Sequence, residues 1–306
     1  MSGGGGRDYP SSDPARLRSE VDADADRIQL DAQVNRLLTD TLQTLNDRDT
    51  ERINRCLEEI TEALQDQVEE IDTLLLGGSV AKHTYADGLS DIDSLVVISG
   101  DADTTPEQLR EQFAQALRST LGGTAKEVKV GEMAVTVEYQ DGTVIQLLPA
   151  MRDREGFAIS NPKGAGWKHI EPKRFAERLT DVNRAMQGMA VPVVKLAKSA
   201  ISVLPEDQRL SGYHMEALAI AAFENYTGPK TAKDMLIRFF TSASANVNRS
   251  IPDVTGQSSA VDDYLGAPGS SERVRAASAI ARIARSLESA RSVRDWNEIV
   301  NPPPEG

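Results

Sequence analysis

LLLGGSVAKHTYADGLSDIDSLVV, residues 74–97, carries the clearest structural signal in this sequence. Its apolar start, residues 74–76, predicts a buried strand, Gly77-Gly78 predicts the tight turn that leaves it, and residues 79–84 predict a short helix. Such a turn presents backbone N–H groups and the positive end of a helix to an anion, and the hydroxyl groups of Ser79 and Thr84 add donors. The stretch is neither a P-loop nor a Rossmann fingerprint, because both of those glycine patterns are missing.

The same stretch ends in two aspartates, Asp91 and Asp93, that lead into the apolar run 94–98. On a strand this spacing places both carboxylates on one face. Beside a phosphate-binding turn, such a pair can hold the Mg²⁺ ions that align a triphosphate with an attacking hydroxyl group. The glycines alone also fit a plain turn, and the aspartates alone also fit residues that cap a helix and stay in water. The order of the halves favours nucleotidyl transfer.

With this order of motifs, the chain resembles the polymerase-β-like nucleotidyltransferase superfamily, whose signature is Gly-Ser followed about a dozen residues later by Asp-x-Asp. Three further segments resemble the bacterial relatives of cyclic GMP-AMP synthase and oligoadenylate synthase, the CD-NTase enzymes of CBASS anti-phage defence. They are VIQLLPA at 144–150, VPVVKLAKSA at 191–200 and RLSGYHMEALAI at 209–220. The resemblance covers about residues 30–300. It implies an α/β nucleotidyltransferase core, a mixed sheet with flanking helices, followed by an α-helical lobe.

The resemblance also implies a site in the first motif. Gly78 and Ser79, with Thr84 beside them, are expected to hold the donor phosphates, while Asp91 and Asp93 hold Mg²⁺ or Mn²⁺. The substrates are then ATP and other nucleoside triphosphates, bound in the cleft between the two lobes. Positioning and charge stabilisation carry most of the rate in this kind of transfer.

Four residues of the later motifs complete the expected site. Lys198 matches the family lysine that reaches the triphosphate, and Lys195, three residues earlier on the same helix face, is the weaker match; on spacing alone both fit a solvated face. Tyr213 matches the tyrosine that stacks on a bound base, and Ser211 belongs to the same Ser-x-Tyr motif. From the sequence alone Tyr213 also fits a half-buried core residue.

Gln146 departs from the resembled family, where most members carry a third metal-binding aspartate at this position. Its carbonyl can accept one metal bond, but it brings no charge and cannot act as a base. Three interpretations stay open. Asp91, Asp93 and the substrate phosphates suffice, Glu138 or another acid substitutes, or the protein is a catalytically weak binder.

The hairpin before Gln146 bears on the second interpretation. If Asp141 and Gly142 form a two-residue turn, Val137 lies opposite Gln146, and Glu138 then points to the other face of the sheet. A β-bulge reverses this argument.

Composition limits the other classes of function. The net charge is −13, from 34 basic and 47 acidic residues, so the chain is a poor candidate for binding duplex nucleic acid. The single cysteine, Cys56, excludes an internal disulfide, and the scattered His83, His169 and His214 do not form a zinc motif. No apolar run approaches the ~20 residues of a membrane span and the N-terminus lacks a signal-peptide core, which predicts a cytoplasmic protein.

Apolar periodicity and turn residues divide the chain. We expect a mobile tail over 1–27, a nucleotidyltransferase domain with a long N-terminal helix over 28–165, a helical domain over 166–300 and an exposed tail over 301–306. The long helix or helix pair breaks near residues 46–49, Thr104 or Thr105 caps a helix over 106–121, and residues 152–156 and 161–167 form a hinge. Strands are expected at 126–130, 133–139 and 143–148. In the final helix, Val274 is expected on the apolar face.

The function implied is a bacterial anti-phage synthase that joins nucleoside triphosphates into a cyclic di- or trinucleotide, read by a product-sensing effector. The alternatives are a nucleotide-binding pseudoenzyme and a terminal nucleotidyltransferase acting on RNA or a small molecule. The resembled family also implies either a HORMA-domain activator or a ubiquitin-conjugation-like partner that acts at the C-terminal Gly306.

Overall fold

The computed structural model describes residues 14–47, 49–68, 71–87, 89–99, 104–153, 156–161, 166–253 and 260–303. Two helices open this part of the chain, α1 (Pro14–Asn46) and α2 (Thr50–Gln65). The predicted break between them is confirmed, and the carboxylate of Asp49 caps α2 by accepting from the backbone N–H of Arg52 at 2.8 Å.

The predicted tail over 1–27 is wrong from Pro14 onward, because α1 begins there; residues 1–13 lie outside the described part. The side chains from Arg18 to Gln29 are exposed, so this half of α1 buries little apolar surface. It continues a helix whose later half packs on the helical lobe through Val34 and Leu38. Low apolar content indicated a tail, but a helix already nucleated by packing extends at small cost through Ala, Arg and Glu.

Seven strands form one mixed sheet in the order β1-β2-β5-β4-β3, with β6 pairing to β5 and β7 to β6. Strands β2 and β5 are parallel and every other described pair is antiparallel. This sheet, with its flanking helices and the helical lobe that follows, confirms the predicted fold class. The elements are β1 (Ile71–Leu76), α3 (Gly78–Ala81), β2 (Ile92–Ile98), α4 (Pro106–Leu121), β3 (Ala125–Val130), β4 (Val135–Tyr139), β5 (Val144–Asp153), β6 (Gly156–Ser160) and β7 (Trp167–Ile170).

Helices α2 and α4 cover one face of this sheet. Thr105 caps α4 in a capping box with Gln108, as the sequence predicted. The core beneath contains the buried Phe113 and Leu117 of α4 and alternate residues of the strands, such as Val137 and Ile145. Because strand side chains alternate, the residues between them face the other side of the sheet.

The predicted hinge over 152–156 and 161–167 is wrong where the structure describes it. Strand β5 runs on to Asp153, and β6 and β7 form a hairpin in which Ser160 lies opposite Trp167. The indole N–H of Trp167 donates to the carbonyl of Thr104 at 3.2 Å, which ties β7 to the segment before α4. Gly166 has φ +83 and lies directly before β7, so the helical lobe begins after β7 and not at residue 166.

The second lobe is helical from α5 onward. Its buried interior includes Phe223, Phe239, Phe240 and Trp296, the first three as predicted. Helix α1 packs on α6, α8 and α10 of this lobe, although the sequence assigned the long N-terminal helix to the nucleotidyltransferase domain. The helices are α5 (Pro172–Ala185), α6 (Ala190–Ile201), α7 (Gly212–Phe223), α8 (Ala232–Asn246), α9 (Ser271–Ser289) and α10 (Val293–Val300).

The buried face of α9 differs from the prediction. Val274 is half exposed, and the preceding Arg273 is buried instead. The Arg273 guanidinium pairs with the buried carboxylate of Asp262 at 2.5 Å and donates to the carbonyl oxygens of Val247 and Gly266, at 2.8 Å each. Paired and hydrogen-bonded in this way, an arginine can lie where an apolar pattern predicts valine.

At the C-terminal end, the side-chain amide of Asn301 donates to the Thr41 hydroxyl at 2.9 Å, so this residue is fixed against α1. Residues 304–306, and with them the hypothesis on Gly306, lie outside the described part. Within the described residues, no helix combines the length and the apolar character that crossing a membrane requires.

Candidate active site

The turn after β1 packs directly on the second aspartate of the motif. The N–H of Gly77 donates to the Asp93 carbonyl at 2.8 Å, which joins the turn to β2. Gly78 has φ +49, and a Cβ there would lie 1.6 Å from Oδ2 of Asp93. The backbone N–H of Ser79 in turn donates to the Asp93 carboxylate. Glycine is required at position 78 by the backbone angle and also by the space that Asp93 occupies.

Asp91 and Asp93 lie at the open face of the sheet. Asp93 is on β2 beside Gln146 of the parallel strand β5, and Asp91 immediately precedes β2. Burial is the main cause that raises the pKa of each carboxyl group, and the charge of Asp91 raises the pKa of Asp93 further. Two desolvated carboxylates that repel each other are stabilised by a divalent cation, so these residues fit a metal site.

Gln146 is bound to this pair. Its amide Nε2 donates to Oδ2 of Asp91 at 2.7 Å, which lowers the Asp91 pKa against the effect of burial. Within the described residues, no group of three or more His, Cys, Asp or Glu side chains is placed to hold a metal. A cation here would therefore be held by two carboxylates, and the side-chain carbonyl of Gln146 could supply one further oxygen.

The predicted hairpin register is wrong by one residue. Thr136, not Val137, lies opposite Gln146, because the loop contains a bulge in which Gly142 has φ +87. Glu138 therefore lies on the same face as Gln146. Its carboxylate pairs with Lys126 and lies 4.0 Å from Lys129, and these lysines lower its pKa. In this structure Glu138 is therefore an ion-pair partner of β3.

Thr84 and Lys198 meet in the interior. Thr84 is fully buried, and its hydroxyl donates to Oε1 of Glu216 on α7. This placement differs from the expectation that the Thr84 hydroxyl faces phosphate. Lys198 of α6 donates from Nζ to the Thr84 carbonyl at 2.8 Å and lies 3.9 Å from Glu216. Lys198 thus reaches the residues that follow the phosphate turn.

Two residues of this cluster, Lys82 and Glu216, are absent from the sequence prediction. Lys82 Nζ lies 2.5 Å from Oε2 of Glu216, which is 1 % exposed. A sequence signal for Glu216 exists, because it is the only charged residue of the otherwise apolar helix α7. A buried carboxylate needs a partner, but the sequence does not show which of the distant cations supplies it.

Tyr213 lies beside this cluster at the start of α7. Its ring packs against Phe175 with centroids 4.6 Å apart, and the ammonium of Lys82 lies 5.1 Å from its centroid. The Tyr213 hydroxyl donates to Asp253 at 2.7 Å. Ser211 caps α7 by accepting from the N–H of His214, and so sets the direction in which the helix begins.

Lys195 reaches the end of α1. Its ammonium donates to the side-chain oxygen of Asn46, the last residue of α1. Of the expected site residues, the structure thus brings Gly78, Ser79, Asp91, Asp93 and Gln146 together on the sheet. Lys198, Ser211 and Tyr213 approach them from the helical lobe.

Comparison with known proteins agrees with this geometry. Residues 28–183, just over half of the chain, match the family model of the Second Messenger Oligonucleotide or Dinucleotide Synthetase domain (SMODS). No sequence match was found among curated proteins.

Several solved structures share the fold over most of their length. The Bradyrhizobium diazoefficiens CD-NTase CdnG in complex with GTP has a TM-score of 0.67 at 16% identity, covering 89% of this chain and 95% of its own. The E. coli MS115-1 CdnC:HORMA-deltaN complex has a TM-score of 0.63 at 17% identity, covering 87% of this chain and 93% of its own. A mutant of the Vibrio cholerae di-nucleotide cyclase DncV with ATP and GTP has a TM-score of 0.64 at 11% identity, covering 95% of this chain and 91% of its own.

The family model spans the sheet, the phosphate turn and both aspartates, and the likeness of fold extends through the helical lobe. Neither alternative function is favoured by these matches. The chain belongs to the Second Messenger Oligonucleotide or Dinucleotide Synthetase family and is a nucleotidyltransferase that acts as a second-messenger synthase.

Proposed function

We propose that this synthase joins two or more ribonucleoside triphosphates and closes them into a cyclic di- or trinucleotide. The observation that carries the proposal is the carboxylate pair Asp91 and Asp93, in which Asp93 packs against the Gly78-Ser79 turn. In each transfer a ribose hydroxyl oxygen of the acceptor bonds to the α-phosphorus of the donor. The bond to the β-phosphate oxygen breaks, pyrophosphate leaves with the electron pair, and the hydroxyl proton passes to water.

The roles of the residues follow from their chemistry. Backbone N–H groups of the turn at Gly78 and Ser79 bind donor phosphate oxygens, and Lys198 offsets their charge. Asp91 and Asp93 hold the divalent cation, proposed to be Mg²⁺ with Mn²⁺ as the substitute. When bound, the cation lowers the pKa of the acceptor hydroxyl and neutralises phosphate charge. Tyr213 offers its ring to a nucleotide base, a contact of about 1 to 3 kcal/mol that discriminates little between bases.

For Gln146 we propose a positioning role. An amide that donates to Asp91 at 2.7 Å fixes that carboxylate without adding a third negative charge. This supports the interpretation that two carboxylates and the substrate phosphates suffice. The weak-binder interpretation predicts nucleotide binding without turnover. Against the substitute-acid interpretation, the Glu138 carboxylate is already paired with Lys126.

The setting of the reaction is also a proposal. The similar proteins were solved with GTP, with ATP and GTP, or with HORMA, which supports ATP and GTP as substrates and a HORMA-domain activator as a partner here. We further propose a cytoplasmic anti-phage role with a product-sensing effector. A ubiquitin-conjugation-like partner at Gly306 is the second possibility for control, and unchanged conjugate formation after deletion of Gly306 would exclude it.

The decisive experiment incubates the purified protein with all four nucleoside triphosphates and either Mg²⁺ or Mn²⁺, and resolves the products by mass spectrometry. The control is the Asp91→Ala/Asp93→Ala double variant. A phosphatase-resistant product that is absent from the control establishes the synthesis and identifies the bases. Measurable nucleotide binding with no product under either metal, in the presence of a candidate activator, would contradict the proposal.

A further inference from the structure

The buried charges around Glu216 are not balanced among themselves. Two ammonium groups, those of Lys82 and Lys198, lie within 4.0 Å of one carboxylate. If Glu216 served only in a buried ion pair, one ammonium group would be enough, because a desolvated ammonium without its own counter-ion is costly. Asp93 is the other negative charge that acts on these lysines, so once a bound cation offsets it, the second ammonium group suits an anionic ligand.

The pKa of Lys198 reflects the same surrounding charges. Burial is the main cause that lowers its pKa, and the charges of Lys82 and Lys195 lower it further, while those of Glu216 and Asp93 raise it. A cation bound by Asp91 and Asp93 would offset the negative charge of Asp93. Glu216 is then the one carboxylate left to keep both ammonium groups charged and in place.

Lys82 lies between the metal carboxylates and the base-stacking ring. Its ammonium is 5.1 Å from the centroid of Tyr213 and 5.2 Å from that of Phe175, and its charge lowers the pKa of Asp93. A nucleotide with its base at Tyr213 and its α-phosphate beside Asp93 would place its phosphate chain next to this ammonium.

The junction is also fixed through the backbone. Thr84 N–H donates to the Ser79 carbonyl at 2.9 Å, which closes the turn that carries the Ser79 N–H. The Thr84 carbonyl accepts from Lys198, and its hydroxyl donates to Glu216. Glu216 thus connects α7, which begins at the base-stacking ring, to the turn that faces the donor phosphates.

We infer that Lys82 is a second triphosphate-binding cation beside Lys198, and that Glu216 is the positioning residue that holds both ammonium groups across the junction of the lobes. The inference deepens the proposed function and rests on it for the placement of the nucleotide. It assigns to Lys82 the β- and γ-phosphates, since those groups distinguish a triphosphate from a monophosphate.

The test compares two ligands by calorimetry on the full-length protein with Mg²⁺, a non-hydrolysable ATP analogue and AMP. Lys82→Met should weaken binding of the triphosphate about tenfold, the loss typical of one charge-assisted contact, and change AMP binding less than about twofold. Lys82→Arg should recover most of the affinity. Glu216→Gln keeps the shape of the side chain and should also weaken the triphosphate selectively.

The matched control is Lys233→Met. Lys233 pairs with Asp31 between α8 and α1, its side chain is 19% exposed, and it lies outside the site, so neither ligand should be affected. Unchanged triphosphate affinity in Lys82→Met overturns the inference. So does an equal loss for both ligands with a lowered melting temperature, which marks a structural role. If the wild type binds the analogue but forms no product, the proposed function fails while this comparison still decides the role of Lys82.

Discussion

Replacement of Gly78 by alanine should abolish synthesis and leave the protein folded. The added methyl group would lie 1.6 Å from Oδ2, 2.4 Å from Cγ and 2.7 Å from Cβ of Asp93. Non-bonded carbon atoms pack at about 3.5 to 4.0 Å, so the Asp93 carboxyl carbon has to retreat by roughly 1 Å or more. A displacement of about 1 Å at a reacting centre costs on the order of a hundredfold in rate.

The structure supplies a control with the same backbone cost. Gly188 has φ +85 and nothing within 4 Å of an added Cβ, whereas Gly78 has φ +49 and the Asp93 clash. Both substitutions force alanine into the left-handed region at about 1 to 2 kcal/mol. Each should lower the melting temperature by roughly 2 to 4 °C per kcal/mol. Only Gly78→Ala should lower kcat, by about a hundredfold or more.

The assay is product formation from the four nucleoside triphosphates, resolved by mass spectrometry, alongside a thermal melt of each variant. A rate for Gly78→Ala within about threefold of the wild type would show that Asp93 tolerates the displacement, and the argument from close approach would fail. An equal loss of rate in Gly188→Ala would refute it as well, since the loss would then follow from strain in the fold.

Three further predictions concern the same site. Asp93→Asn should raise the metal-free melting temperature by a few degrees at pH 7, because the raised pKa of Asp93 in the folded protein makes its ionised form destabilising above that pKa. The gain should vanish below about pH 4, where the carboxyl group is protonated in the unfolded chain too. No gain at pH 7 would contradict this prediction. Gln146→Asp should tighten Mg²⁺ in metal titrations of the rate and lower the metal-free melting temperature, since a third negative charge replaces the amide donor to Asp91; unchanged Mg²⁺ dependence would count against a ligand position there. His83→Gly should stabilise the fold by about 0.5 to 1 kcal/mol, since His83 has φ +59, and a lower melting temperature would refute this.

The parts of the site that the sequence predicted are local in the chain. Strand, glycine turn, short helix and Asp-Ile-Asp follow one another within 24 residues, so periodicity and turn chemistry are enough to order them. The requirement for glycine at position 78 is different. It follows from the approach of Asp93, fifteen residues later, and no local pattern shows it.

The errors arise where a single residue or a distant partner decides the structure. One extra loop residue, with Gly142 at φ +87, turns Glu138 to the face of Gln146, so Asp141 and Gly142 do not form the expected two-residue turn. Lys82 and Glu216 lie 134 positions apart, and only the packing of α7 against the residues after α3 brings them together. Sequence spacing contains no record of that contact.

The division of charge between the lobes bears on how substrate binding and lobe geometry are linked. The acidic groups of the site, Asp91 and Asp93, come from the sheet, while Lys198 comes from a helix of the other lobe. A triphosphate with its cation contacts both sets, so its binding energy favours the arrangement in which the lobes meet. Glu216 already favours that arrangement by pairing with Lys82 of the first lobe. Nucleotide and ion pair therefore act in the same direction, and loss of Glu216 should make the junction more dependent on bound nucleotide.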